Sequence, residues 1–375
     1  MTDLPPVLSD GVVTLRPHHT DDVPDMVLTA EDPLFRQYTT VPVPYSAQAA
    51  LQRIEQVRVD MVERKGVYWA IEAQDGGRVR FAGQVDVRMG PPPDVGYGLA
   101  PWARGRGFMS RALRLAATWA FDERELPILH WSTHAGNLAS WRVAHACGFT
   151  FHGARPLALP HRGALVDGWF ASLRPGTEMS PRTTWWDIPV IEGERVRLRP
   201  LTEADVRRIA EACADPATQF YLAHLPSPYT EDDAREFVER SRLNAALGTA
   251  VSWAVADRAD DRLLANVSVF RLDDVYQPAG AEIGYWAHPD ARGRGVVREG
   301  AALAVAHAFR PRAEGGLGRE RLQLGASVGN TGSRGIAEKL GFTLLAVHHN
   351  DGVVGRGAEH RPDDGAWYEL LRPSP

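Results

Sequence analysis

Hydrophobic and polar positions along the chain switch repeatedly between the period of a strand and that of a helix. Near the N-terminus "GVVTLRP" has strand character, and "SAQAALQRIEQVRVDMVERKG" then places Leu51, Ile54 and Val57 at helical spacing. "VYWAIEA", "FAGQVDVRM" and "DVGYGLA" follow as three strand-like stretches. From Met109 to Phe121 the pattern is helical again, with Leu113, Ala116, Ala117 and Ala120 on one face. "ILHWSTH" reads as a strand and "ASWRVAHAC" as a helix, closed by Gly148 as glycine often closes a helix C-terminus.

The same series then returns. "TLRP" (Thr14–Pro17) is answered by "RLRP" (Arg197–Pro200), "YWAI" by "SWAV", "GNLASWRVAHACGF" by "GNTGSRGIAEKLGF", and "WFASLRP" by "WYELLRP". Between them "ARGRG" occurs at 103–107 and again at 291–295, an offset of 188 residues that carries Tyr97 onto Tyr285 and Phe121 onto Phe309 without a gap. A solenoid repeats every 20–50 residues or so, so a period of this length means a duplicated domain. The expected division is residues 1–178 and 179–375, with the turn-rich "GTEMSPRTTWWDIPVIEG" as linker and lead-in. Each half is α+β, a mostly antiparallel sheet covered by helices; the second adds a loop, "RPRAEGGLGRE", before its strand "RLQLGAS".

Composition narrows the function classes. An apolar fraction of 44% and a charged fraction of 24% are those of a globular protein, and 375 residues suit two or three domains. The formal charge of −5 and the lack of an aromatic–basic patch argue against nucleic acid. No long uncharged apolar run suits a bilayer, and "MTDLPPVLSDG" lacks the apolar centre of a signal peptide, so the expected compartment is the cytoplasm. Cys147 and Cys213 lie in different halves and supply neither a disulfide framework nor a zinc site. Cys147 aligns with Leu340 on an apolar helix face and is expected in the core; no metal is expected.

"RGRG" ahead of a helix presents several backbone N–H groups in one direction, where glycine lets an oxyanion approach closely and the helix N-terminus adds partial positive charge. The site suits a pyrophosphate. No Gly-Lys-Ser/Thr follows, so it is not a Walker motif, and a third glycine of the dinucleotide fingerprint is missing.

Strand with "GY", arginine–glycine loop, helix, strand, then "N-x-x-S" and a helix ending in "GF" resembles the GNAT superfamily of acetyl-CoA-dependent N-acetyltransferases, nearest its RimJ/RimL-like branch. The likeness covers both halves. It implies two tandem GNAT-like domains, each with a central strand pair that splays at a bulge in the strand before the loop. It also implies acetyl-CoA, or another short acyl-CoA, as co-substrate. The family loop maps onto Arg104, Gly105, Arg106, Gly107, Phe108 and Met109, and onto Arg292, Gly293, Arg294, Gly295, Val296 and Val297. Met109 and Val297 stand where a small residue is usual. Branched Val297, with Arg298 beside it, is expected to narrow the second helix start, so the first half should bind at least as tightly.

Pantetheine is expected against the backbone of Gly98, Leu99 and Ala100 and of Trp286, Ala287 and His288. The amine attacks directly, without a covalent enzyme intermediate. Asp94 and Glu282, at the start of the splayed strands, are candidates for removing its proton if burial raises their pKa; the alternative is a solvated hairpin end. Ser140 and Ser333 either donate to the departing thiolate or cap their own helices, and Asn137 and Asn330 either touch pantetheine or serve as turn residues. Trp102 and Trp286 flank the expected cleft. The acceptor is a small-molecule amine or a polypeptide N-terminus, and either both halves catalyse or one is a degenerate structural or CoA-binding module.

Overall fold

A computed structural model of the chain describes residues 4–373. It divides into two compact units, one up to Arg182 and one from Thr183. Residues 179–182 stay with the first unit because Arg114 Nε donates to the Met179 carbonyl (2.9 Å) and Arg182 donates to Thr150 Oγ1 (2.9 Å).

The first unit runs β1 (Leu8–Ser9), β2 (Val13–Arg16), α1 (Val23–Glu31), α2 (Pro33–Tyr38), α3 (Ala47–Val62), β3 (Gly66–Asp75), β4 (Arg78–Arg88), β5 (Asp94–Leu99), α4 (Phe108–Asp122), β6 (Leu129–His134), α5 (Leu138–Ala146), β7 (Thr150–His161) and β8 (Ala164–Leu173). The second repeats it: β9 (Ile191–Glu192), β10 (Val196–Arg199), α6 (Val206–Ala214), α7 (Pro216–Tyr221), α8 (Glu231–Leu247), β11 (Ala250–Asp257), β12 (Leu263–Phe270), β13 (Gly280–Ala287), α9 (Val296–Phe309), β14 (Arg321–Ser327), α10 (Thr331–Lys339), β15 (Thr343–Val354) and β16 (Arg361–Leu371). Each unit holds one eight-stranded sheet, β1-β2-β3-β4-β5-β6-β8-β7 in the first and the matching order from β9 to β15 in the second. The pairs β5–β6 and β13–β14 are parallel, the others antiparallel.

One sheet face of each unit packs on the long helix after the glycine loop. Helix α4 buries Leu113 together with Ala112, Ala116, Ala117 and Ala120, whose small side chains let it lie close to the strands. Trp69 of β3 is fully buried against Trp119 of α4, edge to face at 5.1 Å, and its Nε1 donates to the Pro6 carbonyl. Trp253 repeats this against His307 at 5.5 Å, donating to the Pro189 carbonyl. Such an anchor suits a wide sheet, since a buried indole supplies large apolar area once its N–H has a partner. The other face is covered by α1–α3 in the first unit and by α6–α8 in the second.

The central parallel pair holds together at one end only. β5 and β6 pair at Asp94–His130 and Val95–Trp131, then part; β13 and β14 pair at Gly280–Arg321, Ala281–Leu322 and Glu282–Gln323, then part. The bulge expected in the parting strand lies one strand away. The β4–β5 register is unbroken from Gly83–Leu99 to Arg88–Asp94, whereas β3–β4 shifts between Ile71 and Glu72, and β11–β12 between Val255 and Ala256. Among the described residues no helix is long and apolar enough to cross a membrane.

Candidate active site

From the parted strand the chain passes through a short 3-10 turn and the glycine loop into the long helix. Gly105 and Gly107 have φ of 72° and 75°, Gly293 and Gly295 of 71° and 75°, so each sits in the left-handed region where a side chain is strained. Gly107 and Gly295 are also the N-cap residues of α4 and α9, and neither helix has a side-chain cap. The first-turn N–H groups of two helices, 15 and 14 residues long, are therefore left for an anion to satisfy.

The first arginine of each loop is occupied elsewhere. Arg104 Nη2 is 2.6 Å from Asp32 Oδ1 and Arg292 Nη2 is 2.5 Å from Asp215 Oδ1; these aspartates are the N-caps of α2 and α7. Both arginines thus pin the loop to the helical layer. Arg106 donates to the Gln74 carbonyl and lies over the Phe108 ring at 4.6 Å, while Arg294 is exposed. Phe108, Met109, Val296 and Val297 are buried, at 6%, 3%, 4% and 8% exposure. Val297 packs into the core of the second unit and does not narrow the helix start.

The gap between parted strands is lined by one parity of backbone. Ala100 N–H bonds the Ala82 carbonyl (2.8 Å) and His288 N–H bonds Leu264 (2.9 Å), so these residues face the antiparallel neighbour. Backbone direction alternates along a strand. Gly98 and Ala100 consequently turn toward β4, and Trp286 and His288 toward β12. Leu99 and Ala287 turn into the gap, joined by Tyr97 and Tyr285, which the expected set lacked. The miss was one of parity, legible only once the neighbouring strand is known.

Across the gap, α5 and α10 begin with Asn137 and Asn330 as N-caps, whose Oδ1 atoms accept from Ser140 N (3.1 Å) and Ser333 N (3.0 Å). The asparagines cap; the serines are capped. Ser140 Oγ accepts from Trp131 Nε1 (3.2 Å), and Ser333 Oγ is 3.4 Å from the Tyr285 hydroxyl. Tyr97 and Tyr285 donate to the serine carbonyls at 2.8 and 3.0 Å. Burial pushes the Tyr97 phenol far above its ordinary range and Tyr285 up to about 12, so both remain protonated donors. Cys147 is fully buried, donates to the Ser110 carbonyl (3.3 Å), and burial pushes its thiol up to about 12.

The two expected carboxylates are not buried as anticipated. Asp94 is partly exposed and held by Arg88 through both oxygens, at 2.8 and 2.7 Å. Glu282 is likewise partly exposed and lies 2.5 Å from Arg271. A buried acid stands nearby instead. Asp86 on β4 faces Gly96, so close that a Cβ there would lie 2.9 Å from its Oδ2. Its residue exposure is 7%, and the nearest ionic partner, Arg88 Nε, is 3.6 Å away; among the described residues none donates a hydrogen bond to it. In "QVDVR" the alternation marks a polar face but not the helices that cover it. Trp102 lies between Arg80 and Arg106, at 5.0 and 5.5 Å. Trp286 packs against Phe237 of α8. Among the described residues no three His, Cys, Asp or Glu side chains converge on a metal site.

Comparison with known proteins meets this geometry. The sequence profile of the acetyltransferase (GNAT) domain matches twice, over residues 13–150 and 195–343. A putative ribosomal N-acetyltransferase, YdaF of Bacillus subtilis (strain 168), is 28% identical over 183 residues, 48% of this chain and 92% of that protein. A probable N-acetyltransferase of the same organism, YjcK, is 24% identical over 182 residues, again 48% and 92%. Among solved structures, a GNAT-family acetyltransferase from Bacillus anthracis superposes with a TM-score of 0.41 at 20% identity, covering 49% of this chain and 99% of its own.

Proposed function

Because the chain belongs to the GNAT acetyltransferase family and is an N-acetyltransferase, we propose that it moves an acetyl group from acetyl-CoA to a primary amine, with one CoA site in each unit. The observation that carries this reading is the uncapped helix behind a left-handed glycine loop, set beside a parted strand pair, in both units. The first-turn amides of α4 and α9 would hold the pyrophosphate, and the backbone of Leu99 and Ala287 would run along pantetheine. The bound co-substrate supplies an activated acetyl thioester. We assign to Ser140, at the mouth of the first gap, the giving of a proton to a leaving thiolate; Ser333 is its counterpart in the second unit. The acceptor class we favour is a polypeptide N-terminus, on the name of the ribosomal N-acetyltransferase relative; a small primary amine is the other member of the same chemistry.

The test is calorimetric. Acetyl-CoA should titrate two sites per chain and raise the melting temperature, with about 2.7 kcal/mol of stabilisation per site at a hundredfold excess over Kd. Gly107→Glu and Gly295→Glu each place a carboxylate at one helix start and should each remove one site, with circular dichroism confirming the fold. Two sites surviving in both variants would refute the assignment of the loops.

A further inference from the structure

The two units match closely on the CoA side of the sheet and differ on the other. In the first unit a cleft of about 360 Å³ lies between α1–α3 and the sheet, lined by Met26, Phe35, Tyr45, Arg53, Phe81 and Gln84 and reaching Gly98 of the parting strand. Asp86 follows Gln84 on the same face of β4, opposite Gly96, the first residue of β5 beyond its pairing with β6. Tyr68 of β3 stands across from it, and Arg53 of α3 lies over the Tyr68 ring at 5.1 Å.

At the matching places the second unit has different residues. Alignment of the paired strands and of the capped helix starts puts Ser268 for Asp86, Ser252 for Tyr68, Phe237 for Arg53 and Trp286 for Gly98. Ser268 Oγ lies 3.1 Å from Asn266 Oδ1, to which it donates its one proton, and 2.8 Å from Ser252 Oγ, from whose hydroxyl it accepts, so the polar groups satisfy one another. The Trp286 indole packs with Phe237 onto the apolar cluster beneath α6 and α8. One unit sets a buried acid, with Arg88 at 3.6 Å and no hydrogen-bond donor among the described residues, two residues along β4 from an open cleft; the other sets a satisfied hydroxyl pair there, with Trp286 where the first unit has Gly98.

On the acetyltransferase reading above, we propose that transfer takes place in the first unit alone, with Asp86 as the carboxylate that receives the proton of the acceptor's ammonium group, while the second unit holds CoA without an acceptor. The ammonium gives one proton to an Asp86 oxygen, which frees the nitrogen lone pair. That pair forms the C–N bond to the thioester carbon as the C–S bond breaks. The thiolate takes the Ser140 hydroxyl proton and becomes the free thiol, the second nitrogen proton restores that hydroxyl, and Asp86 returns its own proton to solvent.

A carboxylate in this setting is destabilised before the acceptor arrives. Burial, its largest influence, holds the Asp86 carboxyl above the ordinary carboxylate range, and Asp94 on β5 adds to this; Arg88 on its own strand and Arg53 on α3 pull the other way. Tyr68 faces it from β3 and is itself pushed up by burial and by the Asp86 charge. A carboxyl raised in the folded state favours folding while protonated. Its contribution is therefore lost as pH rises from the ordinary carboxylate value of about 3.9 through the raised one.

The experiment uses the full chain with n-butylamine as probe, alongside Asp86→Asn and Gly98→Trp. The second variant places in the first cleft the residue that the second unit already carries; the three atoms nearest a Cβ there all belong to the Phe35 ring, the closest at 2.7 Å. Butylammonium should bind the CoA-loaded wild type at one site, and both variants should lose it while still titrating the wild-type number of CoA sites. Thiol release from acetyl-CoA in the presence of the amine should fall about a hundredfold or more in Asp86→Asn. Asp86→Asn should also lack the stability loss between pH 4 and the raised pKa, and should melt no lower than wild type at neutral pH. Butylammonium binding at two sites, no saturable binding, or thiol release within a few-fold of wild type in either variant overturns the proposal. Absence of any CoA binding by the wild type is a separate result and would instead refute the acetyltransferase reading on which this rests.

Discussion

Ser140 shows how a single side chain acquires a role from its surroundings. Its amide is capped by Asn137, its carbonyl is bonded by Tyr97, and its hydroxyl accepts from Trp131, which leaves the hydroxyl proton free to be given away. Because Asn137 does the capping, Ser140→Ala should change stability by well under the ~1 kcal/mol typical of a lost cap. It should lower kcat and leave acetyl-CoA affinity near wild type, as expected for an interaction made only in the transition state. Turnover and denaturant midpoint measured on one sample decide it; a large stability loss with unchanged kcat would return Ser140 to a structural role. The pairing of Ser140 with Ser333 was legible from the repeat, but the choice between cap and donor was not. Two polar residues three apart can each cap, and only the backbone at Asn137 shows which one does.

At the scale of elements, the loop and the helical layer act as one piece through an ion pair. Asp32 caps α2 by accepting from Phe35 N (2.8 Å) and also holds Arg104, which keeps the Asp32 carboxyl below the ordinary range. Removing this aspartate separates two readings of Arg104. If Arg104 were a phosphate ligand masked by Asp32, Asp32→Ala would tighten CoA binding at the first site. If it pins the loop, as the geometry indicates, the same change should weaken that site and cost about 1 kcal/mol of stability through the lost cap. Calorimetry and thermal melts on Asp32→Ala read both. Helical periodicity made α3, α4 and α5 legible in sequence, because burial of a helix face depends on residues three and four apart. The bulges and the gap-facing parity of Leu99 and Ala287 were not legible, since each depends on a pairing partner distant in sequence. Asp86 was missed for the same reason: its strand alternates like a half-exposed one, and α3 is what covers it.

At the scale of the whole molecule the question is why a duplicated chain keeps both copies of its loop. The expectation that the first site binds CoA at least as tightly rested on Val297, which the structure buries in the core. Charge around the two helix starts points the other way. In the first unit Arg111, in the first turn of α4, is neutralised by Asp10 at 2.7 Å. In the second, Glu299 is matched by Arg195 at 2.9 Å, whose guanidinium also donates to the Arg294 carbonyl within the loop, and Arg298 adds an exposed cation where the first unit has Ser110. The second site thus carries one more positive charge beside an anion-binding helix start. A cation at such a site is screened by salt and worth roughly 0.3–1 kcal/mol, or about two- to fivefold in affinity. Calorimetry at low ionic strength should accordingly resolve two unequal sites, with Gly295→Glu removing the tighter one. The gap should narrow in high salt, and Arg298→Ser should bring the two affinities together. A tighter first site that is insensitive to salt would show that shape rather than charge sets the order, and would leave the extra arginine without a part in holding CoA.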